Sequence, residues 1–159
     1  MSVGLLSALE NLGIAKMCGK PKDFTFRHEL CHDYESLIWV VIYAMMIRRK
    51  NTLAATDLTV HAGYKEQLDG FWGVHSYSKL ANCHITLMGV GTLRSRNIVE
   101  NLLFTDPLEA EFFRAAMRLV HAQVFSDDYI TYDKIQGLFR TYIQQAGEAT
   151  GFNVSSLTS

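Results

Sequence analysis

The sequence predicts an all-α protein of five to six helices around one buried central helix. No segment alternates apolar and polar residues over a useful length, as a half-buried strand would. Instead, apolar residues recur at spacings of three and four in several segments. Hydrophobic residues make up 48% of the 159 residues, which is enough for one core. We therefore expect a single domain over residues 1–149 and a flexible polar tail at 150–159.

The central helix is predicted over residues 32–50 because its apolar residues cover more than one face. One stripe holds Tyr34, Leu37, Ile38, Val41 and Met45, and the opposite side holds Trp39, Ile42 and Met46. A helix that is apolar all round must be buried on nearly all sides. We expect Asp33 to cap its start. The predicted core residues are Leu37, Trp39, Val41 and Ile42.

The shorter helices lie on both sides of the central one. They are predicted at residues 3–12, ended by Gly13; at 75–88, ended by Gly89 and Gly91; and as a short piece at Ile98, Leu102 and Leu103. Residues 51–73 show no sustained period, so they are predicted to be a long connection. His84 falls on an apolar helix face, where we expect a core histidine.

The last two helices have start and stop signals. Asp106 can cap the first, Pro107 suits its first turn, and Glu109 completes an acidic capping-box variant. Its expected buried residues are Leu108, Phe112, Ala115, Ala116 and Leu119. The final helix is predicted to begin near Thr131 and to stop at Gly147. Its inward residues are expected to be Ile135, Leu138, Phe139, Tyr142 and Ile143.

Three segments carry a resemblance to a known family. Residues 32–37, His-Asp-Tyr-Glu-Ser-Leu, resemble the D-L-E-S-L signature of the central C-lobe helix in fungal-type protein kinases and their casein-kinase-like relatives. The start of the chain is similar to the family's F-M-S-x-E-L-L segment, with Gly4 at the glutamate position. Residues 111–142 resemble its two final helices. The resemblance implies the lower part of a kinase C-lobe, and a complete member would phosphorylate proteins on Ser or Thr with ATP and magnesium.

The chain lacks the motifs that phosphoryl transfer requires. It has no G-x-G-x-x-G loop, no H-R-D catalytic loop and no D-F-G metal motif. We therefore expect no cofactor and no catalysis by this chain alone. The prediction is a kinase-like structural or protein-binding module, a pseudokinase fragment. Its partner would be another protein or a second copy, bound through exposed central-helix surface on the Trp39 and Tyr43 side.

The alternative is a zinc-dependent hydrolase. Residues 28–32 follow the H-E-x-x-H spacing, in which His28 and His32 bind zinc from one helical face and Glu29 activates water. Such a site needs a helix already running at His28 and a third ligand. The conceivable third ligands, His61, Glu66 and Asp69, fall in the predicted connection. We prefer the prediction without a metal.

Charge and cysteine content indicate which partners and which cellular compartment to expect. The formal charge of −1 gives no electrostatic reason to expect a nucleic-acid partner. The apolar run at residues 37–47 is shorter than the roughly 18 to 20 residues that cross a bilayer, so no membrane partner is predicted. The cysteines, Cys18, Cys31 and Cys83, are odd in number. We expect an intracellular protein, cytoplasmic or nuclear, with Cys31 and Cys83 as small core residues.

Overall fold

A computed structural model describes most of the predicted helical segments. The described residues are 2, 3, 6, 8, 9, 29–56, 65, 66, 69, 77–92, 104, 106–126 and 128–150. Across these ranges the chain forms four long helices and no strand: α1 (Leu30–Thr56), α2 (Tyr77–Thr92), α3 (Pro107–Ser126) and α4 (Tyr132–Thr150). The predicted all-α class is confirmed for this part of the chain. The predictions for Gly13, His28, residues 98–103 and residues 151–159 fall outside it.

The buried stripe of α1 follows the helical period closely. Its buried residues are Cys31, Glu35, Ile38, Trp39, Ile42, Met45, Met46 and Leu53. Burial of Trp39 and Ile42 is confirmed, and Val41 packs against the core as a half-buried residue. Leu37, however, is 45% exposed, and Val40 is 60% exposed. The expectations that Leu37 is a core residue and that α1 is buried on nearly all sides were therefore wrong, because one stripe alone faces the other helices.

The bounds of α1 are wider than the sequence suggested. The helix begins at Leu30, so Asp33 lies inside its first turn and not at the cap position. It ends at Thr56, six residues into the predicted connection. One segment of it, Leu30–Leu53, is long and apolar enough to cross a membrane by length and composition. Core helices of soluble proteins meet the same criterion, and the buried stripe of this segment packs into the protein core.

Among the four described helices, α3 and not the predicted central helix α1 makes the most extensive contacts, and it packs against α1, α2 and α4. Its buried residues are Glu109, Ala110, Phe112, Phe113, Ala116, Met117, Val120 and Gln123. The predicted buried residues Leu108, Ala115 and Leu119 are only half-buried. The buried face is thus turned by about one residue, roughly 100° of helix rotation, from the predicted one.

In α2 and α4, the buried residues mostly follow the predicted spacing, but the helices do not end at the predicted glycines. In α2, Ala81, His84, Leu87 and Met88 are buried, as expected. In α4, Ile135 is buried, while Ile143 is 46% exposed and was wrongly predicted to face inward. Neither Gly89 nor Gly147 ends its helix, since α2 continues to Thr92 and α4 to Thr150. Glycine lowers helix propensity without forbidding the conformation, so packing can carry a helix through it.

Side-chain contacts show that α1 and α3 run in opposite directions. Glu35, near the start of α1, meets Gln123, near the end of α3. Arg48, further along α1, meets Glu109 at the start of α3. The two contacts are separated by about 20 Å along each helix at the α-helical rise per residue. The pair is therefore held by one polar contact at each end, with the apolar core between them.

Candidate functional site

The most elaborate polar arrangement in the described structure is centred on Glu35. This carboxyl group is only 1% exposed although it belongs to an apolar helix. Its Oε1 atom accepts hydrogen bonds from the Val3 backbone N–H at 2.7 Å and the Trp39 indole Nε1 at 3.1 Å. Its Oε2 atom accepts one from Nε2 of Gln123 at 2.8 Å. An ionised carboxylate only accepts hydrogen bonds, so it matches the three donors that face it.

Two opposing effects act on the ionisation of Glu35. Burial raises the pKa of the Glu35 carboxyl above its ordinary value, because water no longer stabilises the charge. The hydrogen bonds from Val3, Trp39 and Gln123 act in the opposite direction and lower the pKa. Burial is the larger effect, so the folded protein disfavours the charged carboxylate relative to the unfolded chain.

Gln123 extends this arrangement to the connection between α3 and α4. Its side-chain Oε1 accepts the backbone N–H of Ile130 at 3.0 Å, and Ile130 is 2% exposed. Because the amide oxygen is used there, the amide nitrogen must point toward Glu35. Four parts of the chain thus meet. They are the Ser2–Val3 segment, α1, α3 and the connection between α3 and α4. Below, these residues are called the Glu35 network.

Trp39 connects this network to a second buried titratable group. Its ring stacks on the imidazole of His84 with a centroid distance of 3.8 Å and an interplanar angle of 14°. His84 is 1% exposed, which confirms the predicted core histidine. Burial lowers the pKa of His84 to about 3, so the ring is neutral near pH 7. A neutral, stacked imidazole in the core stabilises packing between α1 and α2.

Residues 29–32 of the H-E-x-x-H motif form a helix start, and His28 lies outside the described residues. The backbone N–H of Glu29 donates to Nδ1 of His32 at 3.0 Å, and the His32 N–H donates to the Glu29 carbonyl at 2.9 Å. This is the reach-back contact of a capping box, with His32 in the place of the usual glutamate or glutamine. The helix begins at Leu30, after Glu29. The helical geometry expected of a zinc motif, with a helix already running through Glu29, is therefore not found.

The other candidate metal ligands also fail to converge. Within the described ranges, no group of three or more His, Cys, Asp or Glu side chains could hold a metal. Glu66 and Asp69 are exposed, and His61 lies outside those ranges. Burial raises the pKa of the thiols of Cys31 and Cys83, which disfavours the reactive thiolate.

At the start of α3, the sequence predicted the capping role of Asp106 but not the ion pair of Glu109. Oδ1 of Asp106 accepts the backbone N–H of Leu108 at 2.9 Å, which confirms the predicted cap. Glu109, expected to complete the capping box, instead forms an ion pair with Arg48 of α1. The Glu109 side chain is 5% exposed and that of Arg48 is 66% exposed. Burial raises the pKa of Glu109, and the charge of Arg48 partly offsets the effect.

One side of α1 exposes apolar side chains to solvent. Leu37, Val40 and Tyr43 are 45%, 60% and 42% exposed, and they follow one another at single-turn spacing. We call these three residues the outer face of α1. The surface predicted on the Trp39 and Tyr43 side therefore exists only in part, because Trp39 is 1% exposed and stacks inside the core.

The roles of Glu35 and Gln123 were not predicted. A signal for Glu35 was nevertheless present, because it lies four residues before Trp39 on a face otherwise occupied by apolar residues. A polar residue on a buried face needs partners, so its position alone indicates a buried network. Its partner Gln123 is 88 residues away, and no local pattern links the two.

Comparisons with known proteins found nothing similar. No protein-family model, curated protein or solved structure matches the chain.

Proposed function

We propose that this chain is a non-catalytic protein-binding module with the architecture of the lower part of a protein kinase C-lobe. In this proposal, five to six helices form the module and the outer face of α1 binds protein, including a second copy of the chain. Phosphorylation of Ser or Thr with ATP and magnesium would belong to a complete kinase of this type. The module itself would work inside the cell, in the cytoplasm or nucleus, without a cofactor.

The exposure of Leu37, Val40 and Tyr43 is the observation that carries the proposal. Apolar surface left in water costs roughly 25 cal/mol per Å², so covering a few hundred Å² would contribute several kcal/mol to association. The outer face lies opposite the stripe through which α1 packs on the core. A partner could therefore cover it without disturbing the core.

The Glu35 network supports the kinase-like part of the proposal. The resemblance rests on the chain start, on residues 32–37 and on residues 111–142. In the structure, Glu35 accepts the Val3 N–H and contacts Gln123, which in turn accepts the Ile130 N–H. Segments that share a family signature are expected to be neighbours if the signature reflects a common fold.

Sedimentation velocity over increasing protein concentration tests the proposed surface. We expect the average mass of the wild type to rise with concentration, and Val40→Glu to stay monomeric because it places a charge in the contact. Asn82→Glu is the matched control, since it adds the same charge at an exposed position of α2. A wild type that stays a compact monomer and binds no hydrophobic dye would contradict the proposal.

Calorimetric titration with magnesium-ATP tests the non-catalytic part separately. We expect no heat of binding, because the sequence holds no phosphate-binding loop and no metal motif. Micromolar binding would show that the chain is a nucleotide-binding protein and would overturn this part of the proposal. The outcome does not depend on the oligomeric state.

A further inference from the structure

The packing of α3 against α4 leaves an open cleft on a different surface from the outer face of α1. Its volume is about 400 Å³, which is within the range of small-molecule binding sites. Phe112 and Leu119 of α3 line it from one side, and Leu138 and Tyr142 of α4 line it from the other. All four pack against or belong to the hydrophobic core, so the floor of the cleft is apolar and supported from below.

The charges at the cleft are unevenly distributed along it. Arg118 and Lys134 lie toward the connection between the two helices, and Glu111 lies toward the start of α3. Nε of Arg118 donates to the Arg114 carbonyl at 3.2 Å, which orients the guanidinium. A guanidinium carries five N–H donors, so most of its donors can still bind an acceptor. Lys134 is fixed nearby by Asp128 at 2.5 Å and by the Tyr129 carbonyl at 3.0 Å.

A glycine on α4 lines the cleft next to open space. Gly137 lies inside α4 and lines the cleft, and a Cβ atom added there would meet nothing within 4 Å. Position 137 therefore borders free space between α3 and α4, which a large side chain placed there would occupy.

We propose that the α3–α4 cleft binds a small amphipathic carboxylate, one with an aliphatic or aromatic body and a single anionic end. The body lies on Phe112, Leu119, Leu138 and Tyr142, where its burial removes apolar surface from water. The carboxylate lies at Arg118, whose planar donors suit a carboxylate in two-point contact. Glu111, at the other end, disfavours the reverse orientation because like charges repel.

Titration of the full chain with dodecanoate, followed calorimetrically, tests the proposal. Gly137→Trp fills the cleft and is expected to abolish binding, whereas Gly137→Ala, which adds one methyl group to open space, retains it. Arg118→Gln is expected to weaken binding by about five- to tenfold through loss of the charged contact. Glu111→Gln is the matched control for Arg118→Gln, because it removes a charge of the opposite sign. It is expected to leave the affinity for dodecanoate unchanged or to raise it.

Dodecyltrimethylammonium, which carries the same chain with a cationic end, is the ligand control. We expect it to bind at least tenfold more weakly than dodecanoate. Equal binding of the two ligands would show that only the chain is recognised and would overturn the proposal. So would full dodecanoate binding by Gly137→Trp, provided circular dichroism shows that the variant is folded, or unchanged affinity in Arg118→Gln.

Discussion

Glu35 and Glu109, the two buried carboxyls through which α1 and α3 make the polar contacts described above, differ in the groups that bind them. At one end, Glu35 is 1% exposed and receives hydrogen bonds from Val3, Trp39 and Gln123. At the other end, Glu109 is paired with Arg48, whose side chain is 66% exposed. Burial raises the pKa of both carboxyls. The difference lies in what else depends on each carboxylate.

Removing a contact costs free energy chiefly through the groups that are left without a partner. A buried N–H without an acceptor costs about 1–3 kcal/mol, whereas an ion pair with one partner in water, such as Arg48–Glu109, is partly screened and contributes about 1 kcal/mol. Loss of Glu35 leaves buried hydrogen-bond donors from three parts of the chain without an acceptor. Loss of Arg48 leaves no buried backbone N–H without an acceptor, but it removes the ion-pair partner of one buried carboxyl, that of Glu109. Mutations at the two ends should therefore differ severalfold in their effect on the free energy of unfolding.

The largest effect is expected for Glu35→Ala. We expect it to lower the free energy of unfolding by about 3–5 kcal/mol, because the donors from Val3, Trp39 and Gln123 lose their shared acceptor. Urea denaturation at neutral pH would measure the loss. Glu111→Ala, at an exposed position of α3, is the control and should cost less than about 0.5 kcal/mol. Similar losses in the two variants would mean that Glu35 does not hold the segments together.

The next effect is a pH dependence that comes from His84. Its pKa is lowered from 6.5 to about 3 in the folded protein, so its contribution to stability is present above pH 6.5 and is lost as pH falls below it. The free energy of unfolding should fall by at most about 1.4 kcal/mol per pH unit, which gives a total loss of roughly 2–3 kcal/mol near pH 4.5. Unfolding should be measured by urea denaturation between pH 7 and pH 4.5.

His84→Phe is the matched variant, because a phenyl ring can stack on Trp39 but cannot take up a proton. The buried carboxyls of Glu35 and Glu109 have the opposite effect on the pH dependence of stability. Their raised pKa values make the folded state gain stability as pH falls toward the ordinary glutamate value. The difference between wild type and His84→Phe isolates the histidine. If the difference does not change with pH, the imidazole does not titrate as its burial implies.

A smaller loss, about 1–3 kcal/mol, is expected for Gln123→Ala. This change removes one donor to Glu35 and the acceptor of the Ile130 N–H, but it leaves the contacts of Val3 and Trp39 with Glu35. Gln123→Glu sharpens the measurement. It keeps an acceptor for Ile130 but places a second carboxylate beside Glu35, so its loss should be larger at pH 7 than at pH 5. An equal loss at both pH values would show that the two carboxyls do not interact.

The smallest effect is expected for Arg48→Ala. Because Arg48 is largely in water but Glu109 is buried, the variant should lose about 1 kcal/mol, near the upper end of the range for a solvent-screened ion pair. Thermal or urea unfolding with added salt provides the check, since about 1 M salt screens exposed charges and should remove most of the difference. A loss above about 2 kcal/mol that persists in salt would make the two ends of the α1–α3 pair equivalent and contradict the comparison.

The sequence by itself determined where the four described helices lie, except for residues 51–56, which were predicted to be a connection and continue α1. Apolar spacing identified α1, α2, α3 and α4, and Asp106 with Pro107 located the start of α3. These features are local, because a helix closes its hydrogen bonds within the segment and a cap acts within one turn. The burial of Trp39, Ile42 and His84 also followed from spacing.

Only the tertiary structure decided which faces are covered and which polar groups meet. A helix that is apolar all round, such as α1, does not specify the side that faces the core, so Leu37 is exposed while Trp39 is buried. The buried face of α3 is displaced by one residue because its neighbours pack there. Glu35 finds Gln123 across 88 residues of chain. Such pairings depend on how whole helices dock, and docking is set by packing over long sequence distances that no local period records.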